Sequence, residues 1–343
     1  MEKFLIIRMS SLGDVILSTP VPQAIEEEAP DAFICWLVEE RNASILKNNL
    51  YIDELVVSRK SIKGILSALI ELRKRKWGMC LDLQSLFKSA IFAFLSGAKK
   101  RIGKEKVERG SHIFYDSCVP NVPFFHAVEN NLLAAYVALD ISNRNRMNIE
   151  SNILKVKKKA LVLKPKIYLT DEERRRAEKS LNTEKPIVAL CPGTTWDSKR
   201  WLPERWARVG DALMEDGFQV VFIGGKQDVF HTRDIIRYMK HRPIDLTGKT
   251  SLREAAAVLE KSLLAISVDS GAMHMASAVD TPVIALFGPT NPKIQGPYGE
   301  KNEVLYKKLH CSPCRKRICH HKECMKLITE EEVIDGARLK LSI

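Results

Sequence analysis

From end to end, this 343-residue chain alternates short β-branched or apolar runs with amphipathic segments. That alternation constrains its fold more than any other feature. A strand that reaches its successor through a helix runs parallel to it, and a parallel sheet must be covered by helices on both faces. In the first half the pattern predicts strands at Phe4–Arg8, Phe33–Val38, Glu54–Val57 and Met79–Leu83, and helices over Ser61–Lys76 and Ser85–Ser96. The stretch from Ser142 to Lys159 is polar and unpatterned, and reads as a linker or poorly packed boundary. The alternation then restarts. Strands are predicted at Ile187–Cys191, Gln219–Ile223, Leu263–Ser267 and Val283–Phe287, and helices at Asp171–Leu181, Pro203–Asp216, Val229–Lys240, Ser251–Leu259 and Gly271–Ala278. The expectation is an α/β chain of two domains, 1–160 and 161–343, each built on a parallel sheet. Chemistry is then sought in the loops that leave the carboxyl ends of the strands.

Composition narrows the class. At 45% hydrophobic and 28% charged residues, the chain is that of a soluble globular protein. It has no apolar run long enough to span a bilayer, and its N-terminus lacks the pattern of a secretory signal, so a cytoplasmic location is expected. The net charge of +12 is uneven: residues 1–55 carry 4 Lys/Arg against 10 Asp/Glu, whereas residues 56–109 carry 14 against 4. The densest stretch, Lys99 to Arg109, is either a set of solvated faces or a site for an anionic partner. No helix-turn-helix, zinc finger or aromatic-stacking signature accompanies it, so nucleic acid is not the expected partner. The Gly-rich phosphate loops of P-loop NTPases and of dinucleotide dehydrogenases are both missing.

Three loops carry candidate chemistry. Ser10-Ser-Leu-Gly-Asp14 follows the first strand and places a carboxylate at a helix start, where it caps free N–H groups and where a nucleotide-binding loop would want no acid. Cys191-Pro-Gly-Thr-Thr-Trp-Asp-Ser-Lys-Arg200 offers Gly193 for close backbone approach, with Thr194, Thr195 and Lys199 suited to a diphosphate; the same groups also serve ordinary turns. In Ser267-Val-Asp-Ser-Gly-Ala-Met-His274, a helix begins at Gly271 behind Asp269 and Ser270. Its free N–H groups attract an anion, His274 lies one turn in, and Asp269 either caps or accepts from ribose hydroxyls. Phe287-Gly-Pro-Thr-Asn-Pro292 borders the same crevice. Arg8 faces either that chemistry or an ion pair.

Of the eight cysteines, Cys35, Cys80, Cys118 and Cys191 sit singly in apolar surroundings as core thiols. Cys311, Cys314, Cys319 and Cys324 form one late cluster. Three readings stand: reduced structural thiols, redox-variable thiols, or a thiophilic metal site of tighter spacing than a usual zinc knuckle pair.

Ser11-Leu-Gly-Asp14, Pro192-Gly-Thr-Thr-Trp-Asp-Ser-Lys-Arg200, Val268-Asp-Ser-Gly-Ala-Met-His274 and Phe287-Gly-Pro-Thr-Asn-Pro292 occur in this order, and the chain resembles the glycosyltransferase family 9 heptosyltransferases along nearly its whole length. The resemblance implies a GT-B fold, two Rossmann-like domains facing across a cleft. Its N-terminal domain takes the lipid-linked acceptor and its C-terminal domain takes ADP-heptose. It implies inverting transfer of heptose from ADP-L-glycero-D-manno-heptose to the phosphorylated lipid A–Kdo inner core of lipopolysaccharide, with no cofactor and no catalytic metal. By position, Asp14 is then the general base, Thr194, Thr195 and Lys199 hold the diphosphate, and Asp269, Ser270, Gly271 and His274 surround the nucleotide sugar. Gly224-Gly-Lys-Gln-Asp228 falls where family members contact adenosine, without matching a fixed pattern. The cysteine segment is similar to that of type II members, which add the second heptose. The basic patch then implies peripheral attachment to the inner leaflet of the inner membrane. The other readings are a family transferase for a different nucleotide sugar, a nucleotide-sugar epimerase on the same fold, and a non-catalytic surface-binding protein.

Overall fold

Runs such as Phe4-Leu-Ile-Ile7 and Ile187-Val-Ala-Leu-Cys191 offer no polar face, so they are stable only at the centre of a sheet covered on both sides. In the computed structural model, which describes residues 2–105, 108, 110–143 and 148–343, they are those centres. The chain divides into two units, Met1–Tyr168 and Leu169–Ile343.

The first unit holds β1 (Lys3–Ile7), β2 (Phe33–Glu39), β3 (Glu54–Ser58), β4 (Met79–Asp82), β5 (Lys100–Lys104) and β6 (Ser117–Val119), paired in parallel in the order β3-β2-β1-β4-β5-β6. The second holds β7 (Ile187–Cys191), β8 (Gln219–Phe222), β9 (Ile244–Asp245), β10 (Leu264–Val268), β11 (Val283–Phe287) and β12 (Glu303–Tyr306), in the order β12-β11-β10-β7-β8-β9 and again parallel. Numbered within its own unit, each sheet has the 3-2-1-4-5-6 order of the Rossmann fold. The expected α/β class with two Rossmann-like parallel sheets is therefore the observed one. Strand order reverses between β1 and β4 and between β7 and β10. At each reversal the connections leave toward opposite faces, and the loops part to open a crevice at the carboxyl ends.

Three expectations change. The stretch read as a linker contains a helix, Ile149–Lys159, started by the Asn148 side chain accepting from Ser151 N at 3.0 Å and burying Asn152 and Val156; Arg144 to Met147 lie outside the described residues. The densest basic stretch is partly a strand, with Ile102 and Gly103 buried in β5 and Arg101 paired to Asp116 at 3.0 Å; Lys106, Val107 and Arg109 of that stretch lie outside the described residues. Finally, the helix Ala127–Ser142 has no expected counterpart. It is buried almost continuously from Val128 to Leu139, so it lacks the polar face that betrays a helix in sequence.

The second core is centred on Trp201 and Trp206, edge to face at 5.2 Å. Trp201 Nε1 donates to Ile328 O at 3.0 Å, which moors the C-terminal segment to the start of the helix Pro203–Glu215. Trp201→Ala is expected to cost about 3–5 kcal/mol, read as a lower midpoint in urea unfolding. A change under about 1 kcal/mol would contradict this placement of Trp201.

Candidate active site

In the second unit, three loops meet in direct contact at the order reversal. Lys199, on the loop after β7, places its Nζ 2.6 Å from Asp269 Oδ2, on the loop after β10. Thr290 Oγ1, from the loop after β11, donates to the same carboxylate oxygen at 2.6 Å. Both members of the ion pair are largely buried, at 12% and 8% side-chain exposure, so neither charge is stable there without the other. The Lys199 ammonium also lies 4.4 Å from the centroid of the Trp196 ring, a cation–π contact that fixes its direction.

The helix Gly271–Ala278 starts beside this pair. Ser270, its extended N-cap, makes no side-chain capping bond, so the first-turn N–H groups are left for another acceptor. Ser270 Oγ instead lies 3.4 Å from Ser267 Oγ, and His274 is buried one turn into the helix. Thr194 is buried and accepts from Trp196 N at 3.4 Å, whereas Thr195 is exposed. The structure thus brings Lys199 and Asp269 together with Thr290, and sets Ser270 and Gly271 at the mouth of the adjoining helix.

One detail differs from expectation. The space beside Gly193 is taken by the Asp228 carboxyl group rather than left for a ligand: a Cβ on Gly193 would sit 2.4 Å from it. Asp228 also accepts from Gly225 N at 2.9 Å, and burial raises its pKa above the usual carboxylate range. Arg200, the residue after Lys199, lines a small cavity of about 270 Å³ with His231, Lys322 and Pro203. Burial and the Arg200 charge push His231 down to about 4, which keeps its ring neutral at pH 7.

In the first unit, the reversal lies between β1 and β4, and Asp14 is placed there. Its Oδ1 pairs with Arg8 Nη2 at 2.7 Å, which settles Arg8 as an ion-pair partner. Its Oδ2 accepts from Ser11 N at 3.2 Å and Ser11 Oγ at 2.9 Å. The carboxylate keeps 33% side-chain exposure, enough for an incoming group to reach it. Gln84 Oε1 accepts from Met9 N at 2.9 Å and Ser10 N at 3.2 Å, binding the loop after β1 to the loop after β4.

Sequence reasoning missed the groups behind Asp14. Lys104, at the end of β5, donates to Asn131 Oδ1 and is pushed down to about 7, by burial first and by Arg8 second, with Asp14 and Asp82 opposing. Asp82 accepts from Tyr115 OH at 2.7 Å, and burial raises its pKa. The signal for Lys104 was present as one charge within a basic run; only the strand order shows that it turns inward.

The eight cysteines are free, with Cys311 exposed and Cys324 buried, and among the described residues no group of three or more His, Cys, Asp or Glu is arranged to hold a metal ion. The four late cysteines lie near enough to one another that Cys311, Cys314 and Cys319 all act on the Cys324 thiol, whose pKa burial raises first. That segment packs on the Lys199 loop, with Ser198 Oγ donating to Lys316 O at 2.5 Å.

Comparison with known proteins agrees with this architecture. A profile described as glycosyltransferase family 9 (heptosyltransferase) matches residues 65–325. The lipopolysaccharide heptosyltransferase 3 of Escherichia coli K12 is 28% identical over 340 residues, which is 94% of this chain and 93% of that protein. The lipopolysaccharide heptosyltransferase 2 of the same organism is 23% identical over 320 residues, covering 88% and 87%. Among solved structures, a family 9 glycosyltransferase from Veillonella parvula superposes with TM-score 0.81 at 25% identity, over 99% of this chain and 97% of that one. E. coli ADP-heptose heptosyltransferase II does so with TM-score 0.80 at 21% identity, over 99% and 98%, and shares the fold. With that profile matched over well more than half its length, the chain belongs to glycosyltransferase family 9, the heptosyltransferases, and is a glycosyltransferase.

Proposed function

We propose that this protein moves heptose from ADP-L-glycero-D-manno-heptose to the lipopolysaccharide inner core, with inversion and without a catalytic metal, and that its acceptor already carries one heptose. The observation that carries the reading is the division of charge between the two order reversals. A partly exposed carboxylate, Asp14, stands at the first, and an uncapped helix N-terminus beside Lys199 stands at the second. The relatives support the sugar and the acceptor: several are lipopolysaccharide heptosyltransferases, and one solved neighbour is E. coli heptosyltransferase WaaC with ADP-2-deoxy-2-fluoro heptose, at TM-score 0.70 and 19% identity over 98% and 99% of the two chains. The second-heptose assignment rests on the late cysteine segment.

In this reading domain 1–160 takes the acceptor and domain 161–343 the donor. The acceptor oxygen attacks the anomeric carbon and forms the new glycosidic bond. Its proton passes to Asp14, while the bond from that carbon to the diphosphate breaks with its electron pair and releases ADP. A positioned general base contributes about 100- to 10,000-fold to such a step. The leaving diphosphate gains charge, which the helix N-terminus at Gly271, the hydroxyls of Thr194, Thr195 and Ser270, and the Lys199 ammonium offset electrostatically. Asp269 holds Lys199 in place, and His274 lies behind the helix start. Arg8 and Ser11 hold the Asp14 carboxylate in one orientation.

Asp14→Asn is therefore expected to keep ADP affinity and lose about 100- to 10,000-fold in kcat, with EDTA present throughout. The assay uses ADP-heptose with acceptors bearing zero, one or two heptoses. Near-normal turnover of the variant removes Asp14 as base, and turnover only with another nucleotide sugar removes the donor assignment.

Peripheral attachment to an anionic membrane is supported by exposed apolar and basic residues of the first unit. The helix Ile62–Arg73 exposes Ile62, Leu66 and Ile70, spaced four apart, at 78%, 53% and 63%, while Ala68 and Leu72 face the core. Lys60, Lys63, Lys99 and Lys100 are exposed beside this segment or within the same basic region. No described helix is long and apolar enough to cross a membrane. Changing those four lysines to Glu is expected to abolish sedimentation with phosphatidylglycerol vesicles at low salt, and Ile62, Leu66 and Ile70→Ser to weaken it at every salt concentration. Unchanged sedimentation in both variants removes the attachment surface.

A further inference from the structure

We infer that Arg317, carried by the late cysteine segment, is a second cationic ligand of the donor's diphosphate beside Lys199. The inference rests on the ADP-sugar reading above and adds a residue to it.

The need arises from the ion pair. Departure of a nucleoside diphosphate concentrates negative charge on its terminal phosphate, and with no metal the protein must meet it. Lys199 alone does so poorly: the buried Lys199–Asp269 pair at 2.6 Å carries no net charge. Its ammonium is directed and hydrogen-bonded, but its field at a distance is cancelled. The loop needs a cation without a carboxylate partner.

Arg317 has that character. Its guanidinium carbon lies 5.5 Å from the centroid of the same Trp196 ring that Lys199 approaches to 4.4 Å, so both cations flank one aromatic side chain. The residue is exposed, and among the described residues no carboxylate lies within ion-pair distance of it. A guanidinium also presents paired N–H donors that match two phosphate oxygens at once, which an ammonium cannot do.

The backbone places it deliberately. Ser198 N donates to Arg317 O at 3.1 Å, and Ser198 Oγ donates to Lys316 O at 2.5 Å. Lys322 Nζ reaches Asp197 Oδ1 at 2.7 Å, and Arg315 N donates to Pro289 O at 2.8 Å in the loop that supplies Thr290. The segment is thus fastened to two of the three loops that meet at Asp269. Its thiols serve that fastening. Cys319 Sγ accepts from Lys322 N at 3.5 Å, and Cys324 is buried where a Cβ on Gly288 would lie 2.9 Å from its sulfur. This gives the cysteine segment a task that requires no metal: it delivers a guanidinium to the Lys199 loop.

The test compares ADP with adenosine by titration calorimetry on the full-length protein. Arg317→Gln is expected to weaken ADP about 10- to 100-fold and to leave adenosine unchanged, because only the charge-assisted bonds to phosphate are lost. Arg317→Lys is expected to recover part of the loss, and kcat with ADP-heptose is expected to fall in the same order. ADP affinity within twofold of wild type in Arg317→Gln overturns the inference. An equal loss for ADP and adenosine also overturns it, since that reports a displaced loop. Wild-type protein that binds ADP no better than adenosine overturns instead the donor reading beneath it.

Discussion

The ion pair between Lys199 and Asp269 joins the loops that leave two neighbouring strands, β7 and β10. At the reversal between β7 and β10 the connections leave to opposite faces, and the sheet ties the two loops only at their bases, where Ser267 pairs with Cys191. Beyond those bases, two buried charges hold them together. Removing either would strand the other in a low-dielectric setting, a cost of about 3–5 kcal/mol. Thr290 adds a third loop to the same carboxylate oxygen, and Trp196 fixes the direction of the ammonium. The helix start at Gly271 adjoins this junction, and Arg317 lies against the same Trp196 ring.

The first unit solves the same topological problem with weaker means. Its reversal between β1 and β4 is bridged by Gln84, which accepts two backbone N–H groups of the β1 loop, and by Arg8 donating to Leu83 O at 2.6 Å. Arg8 and Asp14 belong to one loop and its helix, so their ion pair orients the carboxylate without locking two loops. The outcome is a carboxylate that stays partly exposed, in contrast to the enclosed pair of the second unit. An exposed acid suits a group that must receive a proton from an incoming hydroxyl. An enclosed, neutralised pair suits one that must hold a diphosphate in register. Lys104 deepens the contrast: a cation pushed down to about 7 by burial lies behind Asp14, within reach of its field.

Much of this was legible in the amino-acid order. Strands such as Ile187–Cys191 and Val283–Phe287 are continuous apolar runs bounded by loop residues, and their limits were read without error. The short edge strands β6, β9 and β12 were not read, because an edge needs few apolar residues and leaves little pattern. The helix Ala127–Ser142 escaped for the opposite reason, being buried all round. Among site residues, those within one loop, such as Asp14, Thr194 and Lys199, carried local motif signals. Lys104 and Arg317 did not. Each lies far along the chain from its partner and reaches it only through strand order or through the packing of a late segment, neither of which is written locally.

How Asp14 acts decides the stereochemistry of transfer. With Asp14 serving only as base and no enzyme nucleophile in the step, the acceptor oxygen attacks the anomeric carbon directly, and the new bond forms on the face opposite the departing diphosphate. The direct measurement is the anomeric configuration of the newly formed heptoside, read by NMR on product made from ADP-heptose of known configuration. The configuration opposite to the donor's is expected; a retained configuration rules out direct displacement with Asp14 as its base.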